Sequence, residues 1–152
     1  MPVTIREAKL TDLETIASFQ MAMAKETEGI ELEKQKCLKG VGGVFEDPNR
    51  GNYFIAELDG KIVGSTLITH EWSDWRNGIV WWIQSVYVRP EARGQKVFKS
   101  IYEKIKNLGL ENSQFRGLRL YVEKHNVKAK AVYQALGMTS ERYDLFEWMT
   151  DY

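Results

Sequence analysis

The sequence predicts an α/β sandwich built on a mixed β-sheet. Three observations carry this. Two β-rich runs, Tyr53 to Leu58 and Lys61 to Thr69, flank Asp59-Gly60, the strongest short hairpin signal in the chain. A long Trp-, Ile- and Val-rich run, Ile79 to Val88, is followed directly by Val97, Ile101, Ile105 and Leu108 at helical spacing, as expected of a strand and its packing helix. A further strand, helix and strand are then predicted at Leu118 to Val122, Ala129 to Leu136 and Arg142 to Met149.

The earlier elements follow the same rules. Val3 to Glu7 alternates apolar and polar residues and reads as a first strand. Thr11-Asp12-Leu13-Glu14 is a capping-box pattern opening a helix whose apolar face holds Leu13, Ile16, Ala17 and Met21. Residues 31 to 39 have helical character, with Gly40, Gly42 and Gly43 leaving the end of that helix undefined. A second hairpin should turn between Ser73 and Gly78.

Composition sets the bounds. A chain of 152 residues, 43% hydrophobic with five Trp, seven Tyr and six Phe, suffices for one domain with a sizeable core, so a single domain over residues 1–152 is expected. Lys plus Arg equals Asp plus Glu at 21 each, which gives no general electrostatic reason to bind nucleic acid or an anionic membrane. The start, Met1-Pro2-Val3-Thr4-Ile5-Arg6-Glu7, has no basic segment followed by an apolar one, and no run approaches the roughly 18 apolar residues of a membrane span. A cytoplasmic protein is expected. Cys37 is the one cysteine and cannot form an internal disulfide, and His70 and His125 have no neighbouring Cys, so no metal site is expected.

Two segments carry chemistry. In Val86-Tyr87-Val88-Arg89-Pro90-Glu91-Ala92-Arg93-Gly94-Gln95-Lys96-Val97-Phe98, a strand leads through a Gly-containing loop into a helix. The first turn of a helix leaves backbone N–H groups unpaired at the positive end of the macrodipole, which suits a pyrophosphate. The other segment is Asn126-Val127-Lys128-Ala129-Lys130-Ala131-Val132-Tyr133-Gln134-Ala135-Leu136-Gly137-Met138. Asn126 is a favoured N-cap and Gly137 a natural helix terminator.

Together these segments resemble the GNAT superfamily of N-acetyltransferases, whose later helix reads Asn-x-x-Ala-x-Ala-x-Tyr-x-x-Leu-Gly-(Phe or Met). Every named position is filled here. The family's phosphate loop, (Gln or Arg)-x-x-Gly-x-(Gly or Ala), is matched at Arg93, but its two small positions hold Lys96 and Phe98. The resemblance implies a mostly antiparallel sheet flanked by helices, in which two central parallel strands, 79 to 88 and 118 to 123, splay to hold acetyl-CoA. It implies cofactor contacts from Val86, Tyr87 and Val88, with the Val86 and Val88 side chains filling the core and only backbone groups on the ligand. Further contacts are implied from Arg93, Gly94, Gln95, Lys96, Val97 and Phe98, and from Asn126, Lys130 and Tyr133. Tyr133 is implied as the general acid that protonates the leaving thiolate.

The Trp-containing hairpin and following strand resemble the polyamine (diamine) acetyltransferase branch, in which a Glu often stands at the position of Gln84. Gln84 cannot act as a base, so it would orient the amine or a water, with Glu71, His70 or Glu123 as candidate ends of a proton path. Cys37 has no activating neighbour in sequence, which favours direct transfer over a covalent acetyl-cysteine. Glu26, Glu28, Glu31, Glu33, Glu71 and Asp74, with Trp72, Trp75, Trp81 and Trp82, would suit a cationic amine, although interspersed Lys25, Lys34, Lys36, Lys39 and Arg76 equally fit a solvated face. The expected function is transfer of acetyl from acetyl-CoA to a primary amine of a small molecule such as a polyamine. The alternatives are acetylation of a protein N-terminus or lysine, and a non-catalytic acyl-CoA sensor. A homodimer is implied by resemblance alone.

Overall fold

The computed structural model describes Pro2–Thr150, which group into two compact units that divide between Leu120 and Tyr121. The first holds a five-stranded sheet in the order β1 (Val3–Glu7), β2 (Asn52–Leu58), β3 (Lys61–Ser73), β4 (Gly78–Val88) and β5 (Phe115–Arg119). The first four strands are antiparallel neighbours, and β5 runs parallel to β4. Helices α1 (Leu13–Glu28), α2 (Lys34–Glu46) and α3 (Val97–Leu110) pack on it.

Both hairpins form where expected. Asp59 and Gly60 have φ of 53° and 75°, the pair of left-handed residues that a tight hairpin turn requires. The helix of residues 31 to 39 continues to Glu46, straight through its glycines. The cause is burial: Val41 is buried with Ile16, Ala17, Tyr53 and Ile55, while Leu38, Val44 and Phe45 pack around them. Covering that face outweighs a propensity cost of about 1 kcal/mol per Gly.

The capping box predicted at Thr11 to Glu14 does not form. A 3-10 turn at Leu10–Asp12 precedes α1, and the Asp12 carboxylate turns back, accepting the Lys9 N–H at 2.7 Å and both terminal nitrogens of Arg6 at 2.9 and 3.1 Å. Arg6 Nε donates to Glu57 Oε1 at 2.9 Å, so one guanidinium joins β1, β2 and the start of α1. The fifth strand spans Phe115–Arg119 rather than 118 to 122, because the Phe115 ring packs edge-on against Trp81 at 5.0 Å and anchors its start.

In the second unit, taken by itself, α4 (Val127–Ala135) is the regular element among the described residues. The strand predicted over Arg142 to Met149 is not formed within that unit, which offers it no neighbouring strand to complete a ladder.

The Arg6 hydrogen bonds, then the Lys9 N–H and the Arg6 charge, hold the buried Asp12 carboxyl below the usual carboxylate range. Asp12→Ala should cost about 1–3 kcal/mol in urea titrations at neutral pH, because it leaves the partly buried Arg6 with Glu57 alone and the Lys9 N–H without its acceptor. A depressed folded pKa contributes stability above the unfolded value and loses it as pH falls towards the folded one, so the gap between the two proteins should narrow below about pH 4. A gap that stays constant in acid would show that charge plays no part.

Candidate active site

β4 has different neighbours on its two edges. Against β3 it is paired from Gly78 to Val88, but the register breaks between Ser65↔Tyr87 and Leu67↔Gln84, so Ser85 and Val86 oppose Thr66 alone. Two residues facing one is a β-bulge, and Ser85 adopts φ 52° within it. Thr66, fully buried, donates its hydroxyl to the Gln84 carbonyl at 2.8 Å and fixes the backbone just before the bulge. Gly64 allows the far side: a Cβ there would stand 2.6 Å from the Tyr87 carbonyl oxygen. Within the first unit, pairing with β5 ends at Trp82↔Arg119, and β4 continues to Val88 without it.

The strand then delivers the chain to a loop. Arg89 Nε donates to Ile62 O at 2.9 Å, and a 3-10 turn at Pro90–Ala92 leads to Gly94 at φ 80° and Lys96 at φ 62°. Lys96 therefore keeps the left-handed backbone that a glycine would take. The first intrahelical bond of α3 runs from Ser100 N–H to Lys96 O, so the N–H groups of Val97, Phe98 and Lys99 lie ahead of it, at the helix mouth. A Cβ built at Gly94 meets nothing within 4 Å, so the loop faces open space.

The predicted ligand contacts here differ in kind. Tyr87 and Val97 are core side chains, 7% and 2% exposed, and the Tyr87 ring lies 5.0 Å from that of Phe19. Val86 and Val88 are half-buried. The Tyr87 and Val97 side chains are thus unavailable to a ligand, and their backbone groups are what they can offer. Arg93 is held by Val88 O at 3.0 Å and Glu26 Oε2 at 2.6 Å, which ties the end of α1 to the loop. Gln95 folds back to Glu91 O at 3.2 Å, and the Phe98 ring lies 6.4 Å from that of Tyr102.

The registers Leu67↔Gln84, Thr69↔Trp82 and Glu71↔Val80 place Gln84, Thr69, Trp82 and Glu71 on one sheet face. Gln84 Nε2 donates to Thr69 Oγ1. Trp82 Nε1 and an Arg119 nitrogen both donate to Glu71 Oε1, at 2.8 and 2.9 Å. The Trp82 bond, followed by Arg119, holds the Glu71 carboxyl below its ordinary value. His70 points to the opposite face, edge-on to Trp81 at 5.7 Å, and burial lowers its pKa, so it is neutral at pH 7. The sheet thus separates His70 from Gln84, while Glu71 shares the face of Gln84 four strand residues further along. Thr69 and Arg119 were not legible as site residues, because a cross-strand partner has no local sequence signal. Cys37 donates to Ala17 O at 3.6 Å and burial pushes its thiol up, away from the thiolate that covalent transfer needs.

Of the remaining predicted acidic and aromatic residues, Glu31 lies 3.9 Å from Lys25, while Trp72 and Trp75 are exposed at the second hairpin. In the second unit, the Asn126 side chain caps α4 by accepting the Ala129 N–H at 3.1 Å. Lys130 Nζ reaches back to Lys124 O at 2.6 Å, and Glu123 accepts the His125 N–H at 2.8 Å in the turn before the helix. Gly137, at φ 93°, ends it: Gly137 N–H bonds Gln134 O and Met138 N–H bonds Tyr133 O, a Schellman closure. Burial raises the Tyr133 pKa, so its phenol keeps its proton at neutral pH.

The model of the Acetyltransferase (GNAT) family matches residues 10–138. The chain belongs to this family. Thialysine N-epsilon-acetyltransferase of Bos taurus is 33% identical over 76 residues, half of this chain and 44% of that protein, so the match spans less than half the length of this curated relative. A possible acetyltransferase from Clostridium difficile 630 is 42% identical and superposes with a TM-score of 0.89 over 100% of both chains. A predicted acetyltransferase from Clostridium acetobutylicum, solved with acetyl-CoA, shares the fold at 18% identity, with a TM-score of 0.75 over 96% of each chain.

The loop of this GNAT chain fits a coenzyme A pyrophosphate on three grounds. Gly94 borders open space, three helix N–H groups converge at the mouth of α3, and Lys96 adds a cation without changing the backbone. Acetyl-CoA should therefore raise the melting temperature of the wild-type protein, and Gly94→Asp should largely abolish that shift. Gly94→Asn imposes the same left-handed strain without the charge, so it should keep a clear shift. Equal shifts in wild type and the Asp variant would remove the loop from the binding site.

Proposed function

We propose that this chain transfers an acetyl group from acetyl-CoA to a primary amine of a small cationic molecule, a diamine or polyamine, by direct transfer. The observation that carries the reading is the bulged β4, which joins a phosphate-suited loop at one end to the Gln84, Thr69 and Glu71 face at the other. Acetyl-CoA would supply the activated acetyl group as a thioester. Backbone groups of β4 near Val86 and Val88 hold the pantetheine arm, and an N–H at the bulge stabilises charge developing on the acyl oxygen. The α3 mouth, with Gly94, Lys96, Val97 and Phe98, holds the pyrophosphate.

Gln84 orients the acceptor nitrogen, while Glu71 recognises a second cationic group. Both donors to Glu71 use Oε1, which leaves Oε2 without a donor among the described residues. Its lowered pKa makes it a lasting anion and a poor base. By register Gln84 lies opposite Leu67, four strand residues from Glu71 along the face, about 13 Å at roughly 3.3 Å per residue, a span that suits an elongated acceptor with two nitrogens several bonds apart. Asn126 and Lys130 belong to the reading as cofactor-side residues through their motif. Tyr133 enters on its motif and its retained proton, as the acid for the departing thiolate.

Tyr133→Phe should lower kcat by roughly 10² to 10⁴ while acetyl-CoA affinity changes little. Steady-state turnover with both thiol release and acetylated product measured would decide it, and wild-type kcat in a folded Phe variant would reject the role. Glu71→Gln should cut kcat/KM for diamines by about ten- to a hundredfold, with a far smaller effect on monoamines, since one charge-assisted bond is removed. Equal losses for the two acceptor classes would show that Glu71 does not read the second charge.

A further inference from the structure

Among the described residues the Gln84 side chain has one hydrogen-bond partner. Its Nε2 donates to Thr69 Oγ1, its main-chain carbonyl accepts from Thr66, and the next residue begins the bulge. An amide has two donors on nitrogen and an acceptor oxygen, so committing nitrogen to Thr69 turns Oε1 the other way. Reversed, the amide would present N–H groups, which repel the N–H groups of an incoming amine and compete for its lone pair.

We propose that Thr69 is a positioning residue for the acetyl acceptor: its hydroxyl oxygen locks the Gln84 amide with Oε1 facing the acceptor nitrogen. This rests on the acetyltransfer reading above. Oε1 accepts one N–H of the neutral amine, leaving the nitrogen lone pair directed at the acyl carbon. As the new C–N bond forms, the nitrogen gains positive charge and the bond to Oε1 strengthens, so the gain falls on the transition state. No proton moves to Gln84: the C–S bond breaks, the nitrogen gives up its surplus proton to water, and the departing thiolate takes one up. Thr69 is suited to the role because β3 and β4 place it diagonally across from Gln84 on the same face, where cross-strand side chains meet.

The test is a double-mutant cycle on the full chain, with Thr69→Val, Gln84→Ala and the pair, using the best diamine that the wild-type protein acetylates. Thr69→Val should lower kcat/KM for the amine about tenfold and leave KM for acetyl-CoA and the acetyl-CoA melting shift unchanged. Thr69→Ser, which keeps the oxygen, should recover activity to within about threefold of wild type. In the Gln84→Ala background, Thr69→Val should cost nothing further. A cost that persists there, or no cost in the wild-type background, overturns the proposal. A second readout needs no turnover: the Gln84 side-chain NH₂ pair in ¹⁵N-labelled protein should shift and exchange faster with solvent in Thr69→Val, but not in Thr69→Ser. An unchanged pair in Thr69→Val overturns the lock whatever the activity. A protein that binds acetyl-CoA and keeps the locked amide, yet acetylates no amine, would instead overturn the proposed function and with it the acceptor-facing role of Oε1.

Discussion

The central constraint is that β4 must hold one partner along its whole length and release the other halfway. Its ladder with β3 runs from Gly78 to Val88, while its parallel ladder with β5 ends at Trp82 within the first unit. A regular strand in that position would present the same backbone to both sides. The extra residue at Ser85 and Val86 breaks the equivalence, and Thr66 and Gly64 make the break tolerable, one by bonding the Gln84 carbonyl and the other by leaving room for that of Tyr87. Everything assigned to ligand chemistry in the first unit lies on this strand, opposite it, or just beyond its end.

The surroundings brace that strand. Arg89 and Arg93 bind carbonyls at Ile62 and Val88 and lie over the rings of Phe19 and Tyr87, while Arg93 also pairs with Glu26 at the end of α1. Cations thus anchor the exit of β4 against an aromatic core without occupying the helix mouth. Far from it, the Arg6, Asp12 and Glu57 cluster joins β1, β2 and the start of α1. The Arg93–Glu26 pair helps hold the loop, and the Arg6 cluster stabilises the scaffold.

The electrostatics of the polar face assign roles by environment. Glu71 is kept ionised by Trp82 and Arg119, His70 is kept neutral by burial on the other face, and Tyr133 in the second unit is kept protonated by burial. An anion at Glu71 and a protonated phenol at Tyr133, the two groups the proposed function calls on, are therefore present at neutral pH. Within the proposed reaction, with neither His70 nor a raised carboxylate on that face among the described residues, the acceptor would arrive as the neutral amine or lose its proton to water.

The sequence by itself determined the elements with local causes. Asp59-Gly60 specifies a left-handed turn, the Val97, Ile101 and Ile105 spacing specifies a buried helix face, and Asn126 and Gly137 specify the two ends of α4, because each is a short-range matter of backbone freedom, periodicity or capping. The motif around Tyr133 was enough to indicate the family. Tertiary structure alone decided what depends on distant partners. It carried α2 through three glycines to bury Val41, turned Asp12 away from its capping box towards Arg6, began β5 at Phe115, and extended β3 to Ser73 so that His70 and Glu71 fall within the strand. It also decided the bulge and the contact of Gln84 with Thr69, residues 15 apart across a hairpin whose register is set by its turn and by the buried face rather than by the residues next to either one.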